Sequence, residues 1–531
     1  MTERNRAEMT GKVWLVGAGP GDPGLFTLKG KQVLDQADVV VYDALVGQGV
    51  LGMIPSAAKK INVGKRASNH IMAQEEINRV LLEEAMQGHR VVRLKGGDPF
   101  LFGRGGEELE LLCEHQIPFE IIPGITSAVA VPAYNGIPVT HRDFCSSVHI
   151  VTGHKRKGEP YNIDFEALVK TKGTLVFLMG IGALEDICTG LMEAGMQPDM
   201  PAAVLQQGTT SGQKRIVATI STLKEETERQ GVETPAIIVV GQVCILADKF
   251  GWYEKKPLAG SKILVTRPKE LISAMSERLR EQGAEVLELP AIRTEAIEPN
   301  PALENCLKRI EKYDWIVFTS PTGVRIFFEQ MKGKCDIRRL AGARFAVIGK
   351  GTAKELGKWN ISPDLMPEVF DGRNLGAALA KAAKPGEWIL IPRAALGTEE
   401  LTEELKRQET KQQELERQET KQPELQPKKL QIEDIATYET RYEASELIDE
   451  RAEIEAGRID YAVFTSASTV KGFAEAAAGL DYSAVRAVCI GKQTQAAAEK
   501  LGMQTWVAKE ATMDAVAELV EHLVRNGSGS L

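Results

Sequence analysis

The first stretch able to do chemistry is Val13-Trp-Leu-Val-Gly-Ala-Gly-Pro-Gly-Asp-Pro-Gly24, an apolar run opening into a glycine and proline loop. A dinucleotide loop of the form G-x-G-x-x-G starting at Gly17 requires glycine at position 22. Asp22 stands there instead, and a carboxylate beside a pyrophosphate is repulsive. The loop therefore suits a ligand without phosphates, a cationic one included, or is merely a tight turn after a strand. Other runs share its form: Val39 to Asp43, Ile61 to Lys65, Val91 to Asp98, Ile121 to Ser127, Leu175 to Met179 and Val204 to Gly208 each put polar or glycine positions just past a predicted strand. Such carboxyl ends are where open parallel sheets bind ligands. Gly96 and Gly97 let backbone approach a ligand closely, and Asp98 accepts hydrogen bonds from hydroxyl or amino groups. A lone Asp, Ser or Thr at such a place is commonly a helix cap; so many in succession favour a site.

A metal centre built on Cys145, His149 and His154 is rejected. Position 154 leaves the helical face that 145 and 149 share, and His149-Ile-Val-Thr-Gly-His154 reads as a strand. No metal is expected.

The elements that must carry these residues are short Val- and Ile-rich runs alternating with helix-length amphipathic segments, which predicts α/β architecture with parallel sheets and crossover helices throughout. The chain has 531 residues, enough for several domains, with 43% hydrophobic and 26% charged residues, an ordinary globular composition. Its net charge of −8 gives no basis for a nucleic-acid partner, and any anionic ligand must be held by local clusters. The seven cysteines form no C-x-x-C pair and read as reduced thiols. No segment approaches the length of a membrane helix, so a cytoplasmic protein without a membrane partner is expected.

Two breaks divide the chain. Residues 253–261 read as a linker, and the polar stretch of about 399–431, with its tandem decamer over 407–426, reads as a solvated helical insertion. Beyond the linker the sequence repeats itself. Tyr313 to Ser320 resembles Ile459 to Ser466, Arg344 to Gly349 resembles Arg486 to Gly491, and the opening Ile263 to Arg267 resembles Ile389 to Arg393. Two copies of a unit this long predict two similar α/β lobes facing one another, with a ligand cleft between them.

The loops VGAGPGDPGLFTLKG, VVRLKGGDPFLFGRGGEE, IPGITSAVAVPAYNGIPVTHR and TPAIIVVG resemble the tetrapyrrole methylases, most closely uroporphyrinogen-III C-methyltransferase, over residues 11–252. The resemblance implies a two-lobed unit, usually dimeric, that uses S-adenosylmethionine to methylate uroporphyrinogen III twice, giving precorrin-2. It puts the cofactor against Pro20, Gly96, Gly97, Asp98, Leu101, Thr126, Ser127, Met179, Gly208 and Ala236. Asp43 and Lys65 take the proton-acceptor and proton-donor places; on the residues alone, Asp43 is either a base for the macrocycle or a loop holder. Methyl transfer to an electron-rich carbon needs alignment more than a strong base. Arg66, Arg104 and Arg142, with Lys65, Arg93 and His141, are candidates to pair with the substrate's carboxylates.

Residues 262–524 resemble uroporphyrinogen-III synthase, which implies cyclisation of hydroxymethylbilane with inversion of the last ring. The matching features are VTRP at 265–268, the FTS strand ends at Ser320 and Ser466, Tyr438 within Ala436 to Thr440, and the turns ending in Thr352 and Thr494. The decamer insertion departs from the usual pattern. Because hydroxymethylbilane cyclises unaided to the wrong isomer, the protein is mainly a template. That accords with the near absence of histidine, His522 alone lying beyond residue 258. Tyr438 either donates to the departing hydroxyl or is a half-buried core tyrosine. Ser320, before Pro321, suits an N-cap better than catalysis. The sequence thus predicts a bifunctional enzyme making uroporphyrinogen III on the right and methylating it on the left. The alternative is a methyltransferase carrying a non-catalytic tetrapyrrole-binding module.

Overall fold

In the computed structural model the described residues are 11–64, 72–153, 163–268, 273–395, 399–419, 429–442 and 450–526. They fall into two compact units, Met1–Ala291 with Ala444–Leu531, and Ile292–Glu443.

The first unit opens with β1 (Lys12–Gly17), β2 (Val39–Tyr42), β3 (Lys59–Asn62), β4 (Arg90–Lys95) and β5 (Phe119–Ile122). They form an all-parallel sheet of order β3-β2-β4-β1-β5. Parallel neighbours require crossovers, here helices, which bury both faces. Strand β2 shows the result: Val39 and Val41 enter a core with Leu81 and Leu112, while Val40 and Tyr42 enter the opposite one with Leu34 and Leu94. The chain leaves β1 toward β2 on one side and returns to β5 on the other. The loops following β1, β4 and β5 therefore meet at one end of the sheet.

A second sheet follows, made of β6 (Val148–Thr152), β7 (Thr174–Leu178), β8 (Pro201–Gln206), β9 (Lys214–Thr219) and β10 (Ala236–Val240), in the order β6-β7-β10-β8-β9. The expectation of parallel sheets throughout fails here. Only β6 and β7 run parallel, whereas β10 opposes both neighbours and β8 opposes β9. The reason is local: residues 207–213 are too short a connection for a crossover and turn the chain straight back. Phe177, Val204 and Ile238 fill one face of this sheet, and Val176, Leu205 and Val239 the other.

The remaining strands are β11 (Lys262–Pro268), β12 (Glu285–Ala296), β13 (Trp315–Phe318), β14 (Arg344–Val347), β15 (Trp388–Ala394), β16 (Gln431–Tyr442), β17 (Tyr461–Phe464), β18 (Arg486–Cys489) and β19 (Gln504–Val507). In the second unit β14, β13 and β15 lie side by side and parallel. In the first unit β18, β17 and β11 do the same. The repeated sequences thus fold into one three-strand order used twice.

The insertion departs from the sequence reading. Helix Glu400–Glu419 is not wholly solvated: Leu401 and Leu405, four residues apart on one face, are buried against Leu375 and Leu379 of helix Gly372–Ala382. Only its later turns carry the decamer repeat, of which 420–426 lie outside the described residues. Among the described residues no helix is long and apolar enough to cross a membrane.

Candidate functional site

The glycine loops after β1, β4 and β5 are joined through backbone. Gly19 and Gly97 form a bridge, Gly97 N donating to Gly19 O at 2.8 Å and Gly19 N to Gly97 O at 3.2 Å. Gly124 packs so tightly that a Cβ on it would lie 2.1 Å from Gly97 O and 2.6 Å from Gly17 Cα, which excludes any side chain there. Gly97 has φ +67, and the nearest atoms to a Cβ built on it, Thr126 Cα and Ser127 N, stand at 4.0 Å, the outer edge of van der Waals contact. A ligand can therefore lie directly on this backbone. Asp98 organises the loop around it: one carboxylate oxygen accepts from Phe100 N (2.8 Å) and Leu101 N (3.1 Å), the other from Gly124 N (2.9 Å). Of a carboxylate's roughly four acceptor directions, one remains for a ligand.

Thr126 caps helix Ser127–Tyr134, accepting from Ala128 N at 3.3 Å, so both Thr126 and Ser127 stand at a helix start facing Gly97. Gly208 joins from the second sheet, with Val131 of that same helix against its Cα. Pro20 lies within the Gly19–Gly21 turn, whose Asp22 N donates to Thr209 Oγ1 at 3.2 Å. Ala236 pairs with Gln206, next to that loop. The β7–β10 ladder, extended by its register, puts Met179 opposite Ala236; Met179 is 54% exposed in a left-handed conformation. Leu101 packs against the core beneath. The structure therefore gathers the loops after β1, β4, β5 and β8, and the start of β10.

Asp43 ends β2 with a quarter of its side chain exposed. One oxygen accepts from Leu45 N (3.0 Å) and the other from Arg93 Nη2 (3.3 Å). Arg93 is only 3% exposed, so it is not among the surface cations available to substrate carboxylates: a strand-centre side chain on a doubly covered sheet has no route to solvent. It binds Glu108 instead, at 3.2 Å, and Lys95 donates to the same oxygen at 2.6 Å. Burial, then Arg93, pulls the Lys95 ammonium below the ordinary lysine range, with Glu108 opposing. Arg104 is exposed and pairs with Glu107 at 2.6 Å; Arg142 is exposed in the loop before β6. Lys65 and Arg66 lie outside the described residues, as does His154.

In the second unit Tyr438, 6% exposed, shares a 2.8 Å hydrogen bond with Ser320 Oγ. Ser320 Oγ also accepts from Gly323 N at 2.9 Å, capping helix Pro321–Met331. Burial raises the Tyr438 phenol above the ordinary range, with Ser320 partly opposing. In the first unit Ser466 forms a reciprocal capping box with Thr469. Thr352 and Thr494 are 2% and 4% exposed, so their hydroxyls are withdrawn from solvent.

Three residues of the site were not singled out from sequence. Glu108 looks like one more charge on helix Gly105–Glu114, yet it is fully buried between Arg93 and Lys95. Tyr134 donates its hydroxyl to Asp22 at 2.7 Å, and Thr209 accepts from Asp22 N. A glutamate at an apolar position of the helical period is the only signal that was legible. Among the described residues, no three His, Cys, Asp or Glu side chains gather to hold a metal ion.

Fold and site together define an α/β protein with glycine-rich loops gathered at strand ends, followed by a duplicated α/β module. Comparison with known proteins agrees. The family profile described as Tetrapyrrole (Corrin/Porphyrin) Methylases matches residues 12–224, and that of uroporphyrinogen-III synthase HemD matches 273–518. The "Porphyrin biosynthesis protein HemD" of Ruminiclostridium josui is 44% identical over 522 residues, covering 98% of this chain and 99% of that protein. The uroporphyrinogen-III C-methyltransferase of Bacillus subtilis is 42% identical over 351 residues, 66% of this chain and 71% of its own. A solved structure, uroporphyrin-III C-methyltransferase from Thermus thermophilus complexed with S-adenyl homocysteine, is 40% identical over 44% of this chain and 98% of that one, with a TM-score of 0.38. The chain belongs to the family in which a tetrapyrrole methylase and a uroporphyrinogen-III synthase share one polypeptide.

Proposed function

We propose that the chain performs two consecutive steps of tetrapyrrole biosynthesis. The C-terminal half cyclises hydroxymethylbilane to uroporphyrinogen III, and the N-terminal half methylates that product twice to precorrin-2. The observation that carries this reading is the junction of Gly97, Thr126, Ser127 and Gly208 around open backbone, on a polypeptide that also carries the duplicated synthase fold.

The donor set fits S-adenosylmethionine. Asp22 occupies the position a pyrophosphate would need, the space over Gly97 admits a ligand to main-chain groups, and Asp98 keeps one acceptor direction. When bound, S-adenosylmethionine supplies an electrophilic methyl group on a sulfonium. The chain's own part is to align the acceptor carbon and exclude water, with Pro20, Gly96, Gly97, Asp98, Leu101, Thr126, Ser127, Met179, Gly208 and Ala236 forming the cofactor wall. Asp43, partly exposed at the end of β2, receives the proton lost from the macrocycle, and Lys65 donates. Arg66, Arg104 and Arg142 pair with substrate carboxylates. In the synthase half Tyr438 donates to the departing hydroxyl, and Ser320, Thr352, Ser466 and Thr494 mark the helix starts whose amides hold carboxylates. The protein works in the cytoplasm as a homodimer formed through the methyltransferase half.

A second reading makes the synthase half a binding module without turnover. Its support is the buried Ser320 to Tyr438 hydrogen bond, which is also what a purely structural tyrosine would make. Incubating the full chain with hydroxymethylbilane and S-adenosylmethionine separates the two. Precorrin-2 is expected; type I uroporphyrinogen alone defeats the synthase assignment, and uroporphyrinogen III without methylation defeats the methyltransferase assignment.

A further inference from the structure

The loop 207–213 lines the proposed methyl-transfer site and holds an unfavourable conformation. Gln207 and Thr209 have φ of 44° and 72°, left-handed values that non-glycine residues keep only where their surroundings enforce them. Part of the enforcement is internal: Gln213 Oε1 accepts from Thr209 N at 3.0 Å, and Thr210 Oγ1 donates to Gln207 O at 2.8 Å.

Asp22 and Tyr134 of the methyltransferase half add a bond each, Asp22 N to Thr209 Oγ1 and Gln213 Nε2 to Tyr134 O, and a further restraint comes from the synthase half. Ser211, at the loop's tip, donates both its N–H (2.9 Å) and its hydroxyl (2.6 Å) to Glu285 Oε2, at the start of β12. The other oxygen of Glu285 meets Lys262 Nζ at 3.0 Å, and Lys262 also holds Glu453 at 3.0 Å. Glu453 in turn accepts from Gln48 Nε2 at 3.3 Å. Gln48 follows Gly47, against which the Gly21 backbone packs. A single lysine of the synthase half thus anchors, through two glutamates, both segments that flank the Gly19 to Asp22 loop. All of these residues belong to the first compact unit.

We propose that Glu285 is a positioning residue for methyl transfer: by clamping Ser211 it keeps the 207–213 loop in the conformation that brings Gly208 and Thr209 to the cofactor loop. The proposal rests on the reading that this site takes S-adenosylmethionine. Without the clamp the loop relaxes, the binding-competent fraction falls, and apparent affinity falls in proportion.

The test uses the full chain, with S-adenosylhomocysteine binding measured by calorimetry and S-adenosylmethionine KM and kcat measured in methyl transfer. Glu285→Ala is expected to weaken S-adenosylhomocysteine binding about tenfold, as a drop to about a tenth competent loop implies, and to raise KM more than it lowers kcat. Glu285→Gln, which keeps an acceptor oxygen, should recover most of the affinity. Ser211→Ala, a milder change that spares the ion pair with Lys262, should weaken binding in the same direction and add nothing to Glu285→Ala in the double variant. Unchanged affinity in folded Glu285→Ala or Ser211→Ala protein overturns the proposal. Failure of the unaltered chain to bind S-adenosylhomocysteine overturns the reading beneath it.

Discussion

Asp43 carries the sharpest residue-scale expectation, because its two oxygens are divided between the Leu45 amide and Arg93 while a quarter of the side chain remains exposed. As the base, its replacement in Asp43→Asn should lower methyl-transfer kcat about 100-fold or more and leave S-adenosylhomocysteine affinity in place. As a loop holder alone, it would change affinity and stability first. Glu108 is a different case. Its removal in Glu108→Ala leaves Arg93 and Lys95 buried without their shared carboxylate, and such uncompensated charge costs about 3–5 kcal/mol; urea unfolding at neutral pH should show the loss. Tyr438→Phe deletes one hydrogen bond, worth about 1 kcal/mol. A fall in cyclisation rate far beyond that change in stability would mark the phenol as a proton donor, whereas parallel small changes would mark it as core.

At the scale of elements, period and strand ends were legible in sequence, while pairing direction was not. The runs ending at Asp43, Asp98 and Ser127 were readable because the parallel strands are mostly apolar and covered on both faces, while polar and glycine residues cluster past their ends. Strands β8 and β10 carry the same apolar composition, yet run antiparallel because the short 207–213 loop turns the chain back after β8. Helix Glu400–Glu419 was misread for a related reason: average composition hid that Leu401 and Leu405 fall on one face over helix Gly372–Ala382. Leu405→Ala should therefore destabilise the protein by about 2–5 kcal/mol, measured by thermal or urea unfolding, where a solvated helix would lose almost nothing.

For the whole molecule, acid is expected to act through carboxylates held by cations. Although burial pushes the Glu453 carboxyl upward, Arg458 and Lys262 bring it from its usual 4.5 down to about 2. Hydrogen bonds from Arg90 bring Asp38 from 3.8 to about 2. Both groups bind protons more weakly folded than unfolded. Their stabilisation is therefore complete above about pH 4.5 and is lost as pH falls toward 2. Urea midpoints measured from pH 7 to pH 2 should fall across that window, and Glu453→Gln should flatten part of the slope.

The sequence by itself determined the α/β class, the duplicated strand units and the glycine positions of the ligand loops. These depend on local periodicity, on backbone freedom and on residues adjacent along the chain. Only the tertiary structure decided that Arg93 is an internal counter-charge, that Ser320 and Tyr438 share a hydrogen bond across 118 positions, and that Glu285 reaches Ser211 from 74 positions away. Side chains separated by so many residues acquire partners only when sheets and loops fold together, and no local pattern records which partner burial will impose.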